Sequence, residues 1–349
     1  MEDNLSVLVP GDGPVASPAP PEAAVFVRGL RKAYGAVSAV DGVDLEISRG
    51  EVFALLGPNG AGKTTTVEIL EGYRHRDEGQ VTVLGYDPAR ERASLKPRIG
   101  IVLQSTGVDR YLTVAETLTM YADFYPHPRS PREVIDLVGL GAKANARVTT
   151  LSGGQQRRLD VGVALVGDPE LLFLDEPTTG FDPSARREAW QVVKSLAGLG
   201  KTVLLTTHYM DEAQFLADRV AVIAAGRIVA EGPPSSIGGR DRAFSRVSFR
   251  LAPGIAPPDD LQYDFSPDGR VELVAENLTA ILYRLTSWAV EGGIELEELS
   301  VLRPTLEDVY LELTGATPGH SAAGEAQKGS VESRVESRRT GRHRGGNGL

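Results

Sequence analysis

The sequence predicts an α/β fold built on a mostly parallel sheet, and three observations support this. Short, fully apolar runs such as Val52–Leu56 and Leu171–Leu174 have the length of buried strands. Between residues 25 and 232 such runs alternate with helical patterns, which is typical of parallel strands covered on both faces. Two of the runs lead directly into glycine-rich or acidic segments, and ligands bind at that end of parallel strands.

The composition limits the class of protein. The chain has 349 residues, of which 41% are hydrophobic and 24% charged, and its net charge is −10. This charge argues against a general nucleic-acid-binding protein, which usually carries a basic face. There is no cysteine, so disulfides, thiolate metal sites and cysteine nucleophiles are excluded. No apolar run approaches the roughly 18 residues of a membrane span, and no secretion signal is recognisable. We therefore expect another chain to supply any spans.

The chain is expected to have four regions. Prolines among Ala, Gly and Ser predict a flexible leader over residues 1–23. Residues 24–234 are expected to form the main domain, with a helical subdomain at about 105–165. A cluster of Pro and Gly near residue 235 marks its end. Residues 240–315 are expected to form a small α/β module, and residues 316–349 a disordered basic tail.

Periodicity supports the small module. Val247, Phe249 and Leu251 alternate as in a strand, as do Val271 and Leu273. One helical face is predicted from Leu278, Ile281, Leu282, Leu285 and Trp288. A second helix is predicted from Leu306, Val309, Tyr310 and Leu313, with Thr305 as its N-cap and Asp308 three residues later.

The run Val52–Leu56 leads into the segment GPNGAGKT, which matches the phosphate-binding pattern G-x-x-x-x-G-K-[ST], and a helix is predicted from Lys63 to about Glu71. Glycines let the backbone point N–H groups at phosphates, and a helix N-terminus adds partial positive charge. Lys63 is expected to reach the β- and γ-phosphates, and the Thr64 hydroxyl to ligate Mg²⁺. The candidate ATP-binding residues of this segment are Gly57, Pro58, Asn59, Gly60, Ala61, Gly62, Lys63, Thr64 and Thr65.

A second apolar run, Leu171–Leu174, ends in Asp175 and Glu176. An aspartate at such a strand end can hold Mg²⁺ through water. A glutamate beside it can polarise a water for in-line attack on a γ-phosphate. Taken alone, the sequence Asp-Glu-Pro fits a turn that closes a strand equally well. The phosphate-binding pattern elsewhere in the chain favours the catalytic interpretation.

The segment LSGGQ at residues 151–155 resembles the signature of ATP-binding-cassette (ABC) ATPases. Together with the two motifs above it identifies residues of about 25–232 as similar to an ABC nucleotide-binding domain. The resemblance implies a phosphate-loop NTPase cassette in which two subunits, arranged head to tail, bind two ATP molecules between them. It also implies that one copy caps the γ-phosphate held by the other through Ser152, Gly153, Gly154 and Gln155.

The same resemblance assigns roles to residues outside these motifs. Tyr34 is expected to stack on adenine, and Asp182 to lie in a loop that crosses the dimer interface. Gln104 is expected to sense both Mg²⁺ and the attacking water, and His208 the γ-phosphate. The implied catalytic residues are thus Lys63, Gln104, Glu176 and His208, and the implied metal ligands are Thr64, Gln104 and Asp175, with ATP and Mg²⁺ as cofactors. Asp182 before Pro183 is also a good helix N-cap, and both roles remain open.

The segment HYMDEA at residues 208–213 and the segment PTLEDVYLELTG at residues 304–315 resemble daunorubicin-resistance-type export subunits. This resemblance implies a second ATP-binding subunit, expected to be an identical copy, and a separate polytopic membrane permease. It also implies a peripheral location on the cytoplasmic face of the cell membrane and export of a drug-like or hydrophobic compound. The segment between Gln104 and Leu151 would dock the permease. No nucleic-acid partner is expected.

Three alternatives remain open at this stage. The chain could serve an importer or a transporter of lipid or polysaccharide. It could be a cassette ATPase that acts on ribosomes or DNA, although it has one cassette and no sustained heptads. It could also bind nucleotide without hydrolysing it, against which the intact Lys63, Asp175, Glu176 and His208 argue.

Overall fold

A computed structural model of the chain describes residues 23–102, 107–239, 245–252, 254–258, 261–266, 268–275, 277–302 and 305–314. The predicted tail, the predicted leader up to residue 22, and the candidate residue Gln104 lie outside the described residues. The α/β class with a mostly parallel sheet is confirmed. The predicted bounds of the four regions stay predictions.

The described strands, in chain order, are β1 (Ala23–Tyr34), β2 (Val37–Ser48), β3 (Val52–Leu56), β4 (Glu78–Val83), β5 (Ile99–Val102), β6 (Leu171–Asp175), β7 (Thr202–Thr207), β8 (Arg219–Ala224), β9 (Arg227–Gly232), β10 (Ser245–Arg250), β11 (Tyr263–Phe265), β12 (Arg270–Ala275) and β13 (Glu297–Leu302). The described α-helices are α1 (Lys63–Leu70), α2 (Arg92–Leu95), α3 (Val114–Ala122), α4 (Pro131–Leu137), α5 (Gly153–Leu165), α6 (Pro183–Gly198), α7 (Met210–Leu216), α8 (Leu278–Gly292) and α9 (Leu306–Thr314).

The central sheet of the described chain has the strand order β5-β6-β7-β3-β8-β9. All its neighbours pair in parallel except β8 and β9. Successive side chains of a strand point to opposite faces. Accordingly Phe53 and Leu55 join one apolar cluster, whereas Val52, Ala54 and Leu56 join another. Since both faces are covered, β3 is buried along its whole length, and its apolar run reflects this.

One face of the central sheet is covered by a second, antiparallel sheet in the order β2-β1-β4. The sequence analysis did not predict this sheet. Register shifts interrupt the pairing of β1 with β2, for example between Val27 and Leu30. Such bulges break the strict alternation by which a half-buried strand is recognised. The second sheet packs beside α1 and therefore helps to support the glycine-rich loop that precedes this helix.

Helices α3, α4 and α5 lie between β5 and β6 in the chain and contribute to the cluster on the other face of the central sheet. A capping box starts α3. Thr113 accepts a hydrogen bond from the backbone N–H of Glu116, and the Glu116 carboxylate accepts one from the backbone N–H of Thr113. Each bond satisfies a backbone donor that helix geometry leaves free.

The C-terminal part of the described chain forms an antiparallel sheet in the order β11-β12-β10-β13. Helix α8 packs on it through the predicted apolar face, in which Leu285 is fully buried. The final described helix, α9, does not pack on this sheet. Its Leu306 belongs to the apolar cluster of the central sheet and its helices, and α9 contacts α7. The last described helix thus packs on the part of the chain that is built around the central sheet. In the described ranges, none of the helices has the length and apolar character that crossing a membrane requires.

Candidate active site

Three groups of predicted site residues come together at the carboxyl edge of the central sheet. Strand β7 lies between β3 and β6, so Leu56 pairs with Thr207 and Asp175 pairs with Thr206. The glycine-rich loop, the acidic pair and His208 each follow one of these adjacent strands. Ligands of parallel sheets bind at this edge.

The glycine-rich loop between β3 and α1 is packed so closely that two of its glycines admit no side chain. A Cβ at Gly57 would lie 2.5 Å from the Ile223 carbonyl oxygen, and one at Gly62 would lie 2.3 Å from that of Ala39. Gly62 also has φ of 107°, in the left-handed region. At the surface of the loop, Pro58, Asn59 and Gly60 are exposed. The loop therefore presents its backbone to solvent at the start of α1, where N–H groups and the helix dipole favour an anion.

The remaining residues of the loop segment divide between core and surface. Ala61 is buried, Thr65 is half-buried, and Thr64 is exposed at the start of α1. The Thr64 hydroxyl is therefore accessible at the loop, and its role as a Mg²⁺ ligand stays a prediction.

Lys63 is buried, and its side chain folds back over the loop. Its Nζ donates hydrogen bonds to the carbonyl oxygens of Gly57, at 2.6 Å, and of Pro58, at 3.1 Å. Burial lowers the pKa of the Lys63 ammonium, while the negative charges of Glu176 and Asp175 oppose that shift. The ammonium thus lies over the glycine-rich loop, where the negative charges of Glu176 and Asp175 act on it.

Asp175 is oriented by a neighbour that the sequence analysis did not single out. The Thr206 hydroxyl donates a 2.5 Å hydrogen bond to Asp175 Oδ1. The same hydroxyl oxygen accepts a 3.1 Å bond from the backbone N–H of Glu176. Thr206 therefore fixes both the carboxylate of one acidic residue and the backbone of the next.

Glu176 has a half-buried carboxylate held from two sides. Its Oε2 accepts a 3.1 Å hydrogen bond from the Thr179 hydroxyl, and its Oε1 lies 3.3 Å from His208 Nδ1. The backbone of Glu176 has φ of 44°, which is uncommon for a residue other than glycine. A strained backbone at such a place is typical of active sites.

Tyr34, at the end of β1, is 43% exposed. Two cations lie near its ring: the Arg74 guanidinium at 5.4 Å from the centroid and the Lys32 ammonium at 5.6 Å. The nearby cations interact favourably with the ring. Since the ring is also exposed, another aromatic group can stack on it.

The signature residues open helix α5. Ser152 is the N-cap and accepts a 3.3 Å hydrogen bond from the backbone N–H of Gln155, whose side chain accepts one from the backbone N–H of Ser152. Ser152 and Gly153 are exposed, and Gly154 and Gln155 are half-buried. These residues therefore present a helix N-terminus to solvent, a position that suits an anion brought by another molecule.

The predicted N-cap role of Asp182 is confirmed. The exposed Asp182 carboxylate accepts hydrogen bonds of 2.9 Å and 3.0 Å from the backbone N–H groups of Ser184 and Ala185 at the start of α6. A Cβ at Gly154 would lie 3.2 Å from the Cβ of Ala185, so the first turns of α5 and α6 are adjacent. Signature and Asp182 thus share one surface.

The described residues that could ligate a metal suit an ion bound together with a nucleotide. They do not suit an ion held by protein side chains alone. Among the described residues no group of three or more His, Cys, Asp and Glu side chains could hold a metal ion. Mg²⁺ in phosphate sites takes one or two carboxylates together with substrate phosphates. Asp175, oriented by Thr206, and the exposed Thr64 fit that requirement.

Sequence reasoning missed Thr206, Thr179 and Arg157, which all contact the acidic segment. Arg157, on α5, donates hydrogen bonds to the carbonyl oxygens of Asp175 and Pro177. A threonine within an apolar strand and an arginine within a helix carry no pattern of their own. Thr206 could have been found only from the order of the strands, which places it beside Asp175.

Comparison with known proteins agrees with this geometry. The family model described as ABC transporter matches residues 40–179, and one described as the C-terminal domain of ABC transporter domain-containing protein-like proteins matches residues 245–305. The daunorubicin/doxorubicin resistance ATP-binding protein DrrA of Streptomyces peucetius is 45% identical over 313 residues, covering 84% of this chain and 93% of the relative. The Nod factor export ATP-binding protein I of Sinorhizobium fredii is 40% identical over 306 residues, covering 84% and 87% respectively.

A solved structure shows a similar fold. It is the dimeric, post-hydrolysis state of the ATP-binding cassette MJ0796 bound to ADP and Pi. The TM-score is 0.54 and the identity 27%, and the match covers 60% of this chain and 98% of that one.

Proposed function

The chain belongs to the ABC transporter family of ATP-binding proteins, and on that premise we propose that it hydrolyses ATP as a homodimer to drive export by a separate membrane permease. Its membership makes it an ATPase that binds ATP. The substrate class, the direction of transport, the stoichiometry and the residue roles are parts of the proposal.

The observation that carries the proposal is the convergence of Lys63, Asp175, Glu176 and His208 at one edge of the sheet. The negative charges of Glu176 and Asp175 act on the Lys63 ammonium, and His208 Nδ1 lies 3.3 Å from Glu176 Oε1. Phosphoryl transfer to water needs a cation for the phosphate oxygens, a carboxylate that binds the metal and a second carboxylate that orients the attacking water. A protein that only binds nucleotide does not need the second carboxylate.

Each group has a defined task in the proposed reaction. Lys63 leaves the Gly57 and Pro58 carbonyl oxygens and binds the β- and γ-phosphates, while the backbone of residues 57–62 surrounds them. Glu176 accepts a hydrogen bond from the attacking water and orients it in line with the γ-phosphate. His208, whose side chain is 39% exposed, lies beside Glu176 and contacts the γ-phosphate. Tyr34 stacks on adenine.

Magnesium fits this arrangement, since Thr64 and Asp175 provide oxygen ligands beside the phosphate loop, and Gln104 is proposed to complete the set. Bound with ATP, Mg²⁺ would neutralise charge on the β- and γ-phosphates. The task of this chain is to hold the ligands in place, which Thr206 does for Asp175 through its 2.5 Å hydrogen bond.

A second copy of the chain is proposed because the signature residues bond to each other and face solvent. The exposed Ser152 and Gly153 would cap the γ-phosphate held by the partner's loop, together with Gly154 and Gln155. Asp182, on the same surface, would lie at the interface. Since this chain has both a complete loop and a complete signature, two identical copies suffice for two sites.

A polytopic permease is proposed as the membrane partner. Helices α3 to α5 expose large aromatic side chains around them, such as Tyr111, which is 79% exposed, and Phe124, which is 74% exposed. Exposed aromatic residues of this size are typical of binding surfaces. Docking there would keep the chain on the cytoplasmic face of the membrane. Export of a drug-like or hydrophobic compound is proposed because one relative is described by drug resistance and another by export.

The proposal is tested by co-purification from membranes of the native cell. Tagged Glu176→Gln protein is used with ATP, so that the closed dimer accumulates, and the Lys63→Ala variant serves as the nucleotide-binding control. The proposal expects a polytopic membrane protein in the first sample and less of it in the second. Recovery of ribosomes or DNA without any membrane protein would contradict the transport function.

A further inference from the structure

The first turns of helix α5 place a buried arginine against the segment that carries Glu176. Arg157 is 8% exposed. Its Nη2 donates a 2.8 Å hydrogen bond to the Asp175 carbonyl oxygen, and its Nε donates a 3.2 Å bond to that of Pro177. The two acceptors lie one residue before and one residue after Glu176, so a single guanidinium spans the backbone of the proposed catalytic glutamate.

The backbone between those two carbonyls is in an unfavourable conformation. Glu176 has φ of 44°, a region that a residue with a Cβ enters only where its surroundings enforce it. On the other side of Glu176, strand β7 provides the constraint. The backbone N–H of Glu176 lies 3.1 Å from the carbonyl oxygen of Thr206 and 3.1 Å from its hydroxyl oxygen. The Glu176 backbone is therefore held between β7 and α5.

Few side chains could replace Arg157 in this position. A buried cation is costly unless hydrogen bonds and nearby negative charges compensate it. Here the carbonyl oxygens provide the bonds. Burial lowers the pKa of Arg157, and the nearby carboxyl groups of Asp160, Asp175 and Glu212 oppose that shift. A guanidinium has donors in a rigid fork and can span two carbonyls, whereas the compact ammonium of a lysine acts as a point charge.

Helix α5 also begins with the signature. Ser152 caps it, and Arg157 lies in the same helix shortly after Gly153 and Gly154. A helix moves largely as a rigid element. A displacement of the signature end of α5 therefore reaches the Asp175–Pro177 backbone through Arg157.

We propose that Arg157 is a positioning residue for Glu176, through which the signature helix of a subunit sets the geometry of the catalytic glutamate in the same subunit. The inference rests on the proposed function, in which the signature of one copy binds the nucleotide of its partner while Glu176 acts on its own. In such a dimer each subunit has its Glu176 in its own ATP site and its signature in the partner's ATP site, and Arg157 links the two. The rate of hydrolysis at a subunit's own site then depends on the position that its α5 takes at the partner's site.

The test uses the full chain with Arg157→Met, which is similar in size but has no donor, and Arg157→Lys, which keeps the charge. Arg158→Met is the matched control. Arg158 lies on the same helix but bonds to Gly139 and Glu188, away from the acidic segment. Three properties are measured: the kcat for ATP, the equilibrium affinity for ATP, and the ATP-dependent dimer in the Glu176→Gln background.

A misplacement of a reacting group by about 1 Å costs on the order of 100-fold in rate. We therefore expect Arg157→Met to lower kcat by about 10- to 100-fold and Arg157→Lys to recover part of that loss. ATP affinity and the dimer of the Glu176→Gln background should change by less than about threefold, and Arg158→Met should resemble the wild type. If Arg157→Met folds poorly, Arg157→Lys carries the same test, because it must still lower kcat without weakening ATP binding.

Two outcomes would overturn the inference. The first is a kcat of the Arg157 variants within about threefold of the wild type. The second is loss of the ATP-dependent dimer together with kcat, which would mean that Arg157 merely maintains α5. Failure of the proposed function looks different, since Glu176→Gln alone would then hydrolyse ATP as the wild type does, whatever the Arg157 variants show.

Discussion

His208 Nδ1 lies 3.3 Å from Glu176 Oε1, although the two residues are far apart in the chain. The contact arises because β6 and β7 are adjacent and parallel, so the residues that follow them meet at the same edge of the sheet. His208 is the more exposed partner, with 39% of its side chain accessible against 15% for Glu176. It therefore stands between the proposed catalytic carboxylate and solvent.

Replacing His208 with alanine should slow turnover without abolishing nucleotide binding. The histidine contacts Glu176 and is proposed to contact only the γ-phosphate, whereas Lys63 and the loop backbone hold the rest of the nucleotide. We expect kcat to fall on the order of 100-fold while the affinity for ADP stays the same. Steady-state hydrolysis and ADP titration measure the two effects. The control is His127→Ala, which alters an exposed histidine elsewhere. An unchanged kcat for the His208 variant would exclude the proposed role.

Replacing Lys63 with alanine should weaken nucleotide binding. The Lys63 ammonium lies over the glycine-rich loop and interacts with its carbonyl oxygens. A charge-assisted hydrogen bond to a phosphate contributes roughly 1.5–3 kcal/mol, which corresponds to about 10- to 100-fold in affinity. Titration of ATP by calorimetry measures the change. Lys201→Ala is the control, since Lys201 pairs with Asp168 and precedes β7 at the opposite edge of the sheet. Equal affinities for wild type and Lys63→Ala would contradict the phosphate-loop assignment.

The buried Glu71 should make stability depend on pH. Burial, together with the nearby charges of Asp175 and Glu68, raises the pKa of Glu71 from 4.5 to about 8. The folded state therefore holds this proton more tightly than the unfolded state. The resulting stability is fully present below about pH 4.5 and is lost as the pH rises through 8.

The variant Glu71→Gln removes this titration, so its stability relative to the wild type should increase with pH. Between pH 5 and 9 we expect a relative gain on the order of 2–4 kcal/mol. Urea unfolding at both pH values without nucleotide or divalent cations measures it. Glu133→Gln, at an exposed carboxylate of α4, should show no such gain. Parallel pH profiles of wild type and Glu71→Gln would show that Glu71 titrates normally.

The N-cap at Asp182 allows its structural role to be separated from its proposed role at the dimer interface. Asp182→Ala removes the acceptor for two backbone N–H groups at the start of α6. We expect it to lower the free energy of unfolding by about 1 kcal/mol. Asp182→Asn keeps an acceptor and should retain that stability. Urea unfolding of both variants measures the difference, and an unchanged free energy of unfolding for Asp182→Ala would contradict the capping role.

Local sequence patterns predicted much of this site because its motifs are contiguous. The segment from Gly57 to Thr64 folds where its pattern requires, between a buried strand and a helix. The caps at Thr113, Ser152 and Asp182 are also local, since a side chain bonds to a backbone N–H two or three residues later.

The remaining features depend on pairings between distant segments, which no local pattern encodes. The sheet of β1, β2 and β4 was missed because bulges interrupt its alternation. Thr206 and Arg157 were missed because their importance arises only when β7 and α5 are placed against Asp175. The residue roles taken from the family resemblance, including that of Gln104, remain predictions.

The central claim is that Glu176 activates the water that attacks ATP in a dimer of this chain. The most direct measurement compares the purified wild-type chain with Glu176→Gln, using the rate of phosphate release and light scattering with saturating Mg²⁺ and ATP. We predict that the variant loses at least about 100-fold in rate, binds ATP as tightly as the wild type, and accumulates as a dimer. Hydrolysis by the variant at the wild-type rate would contradict the account.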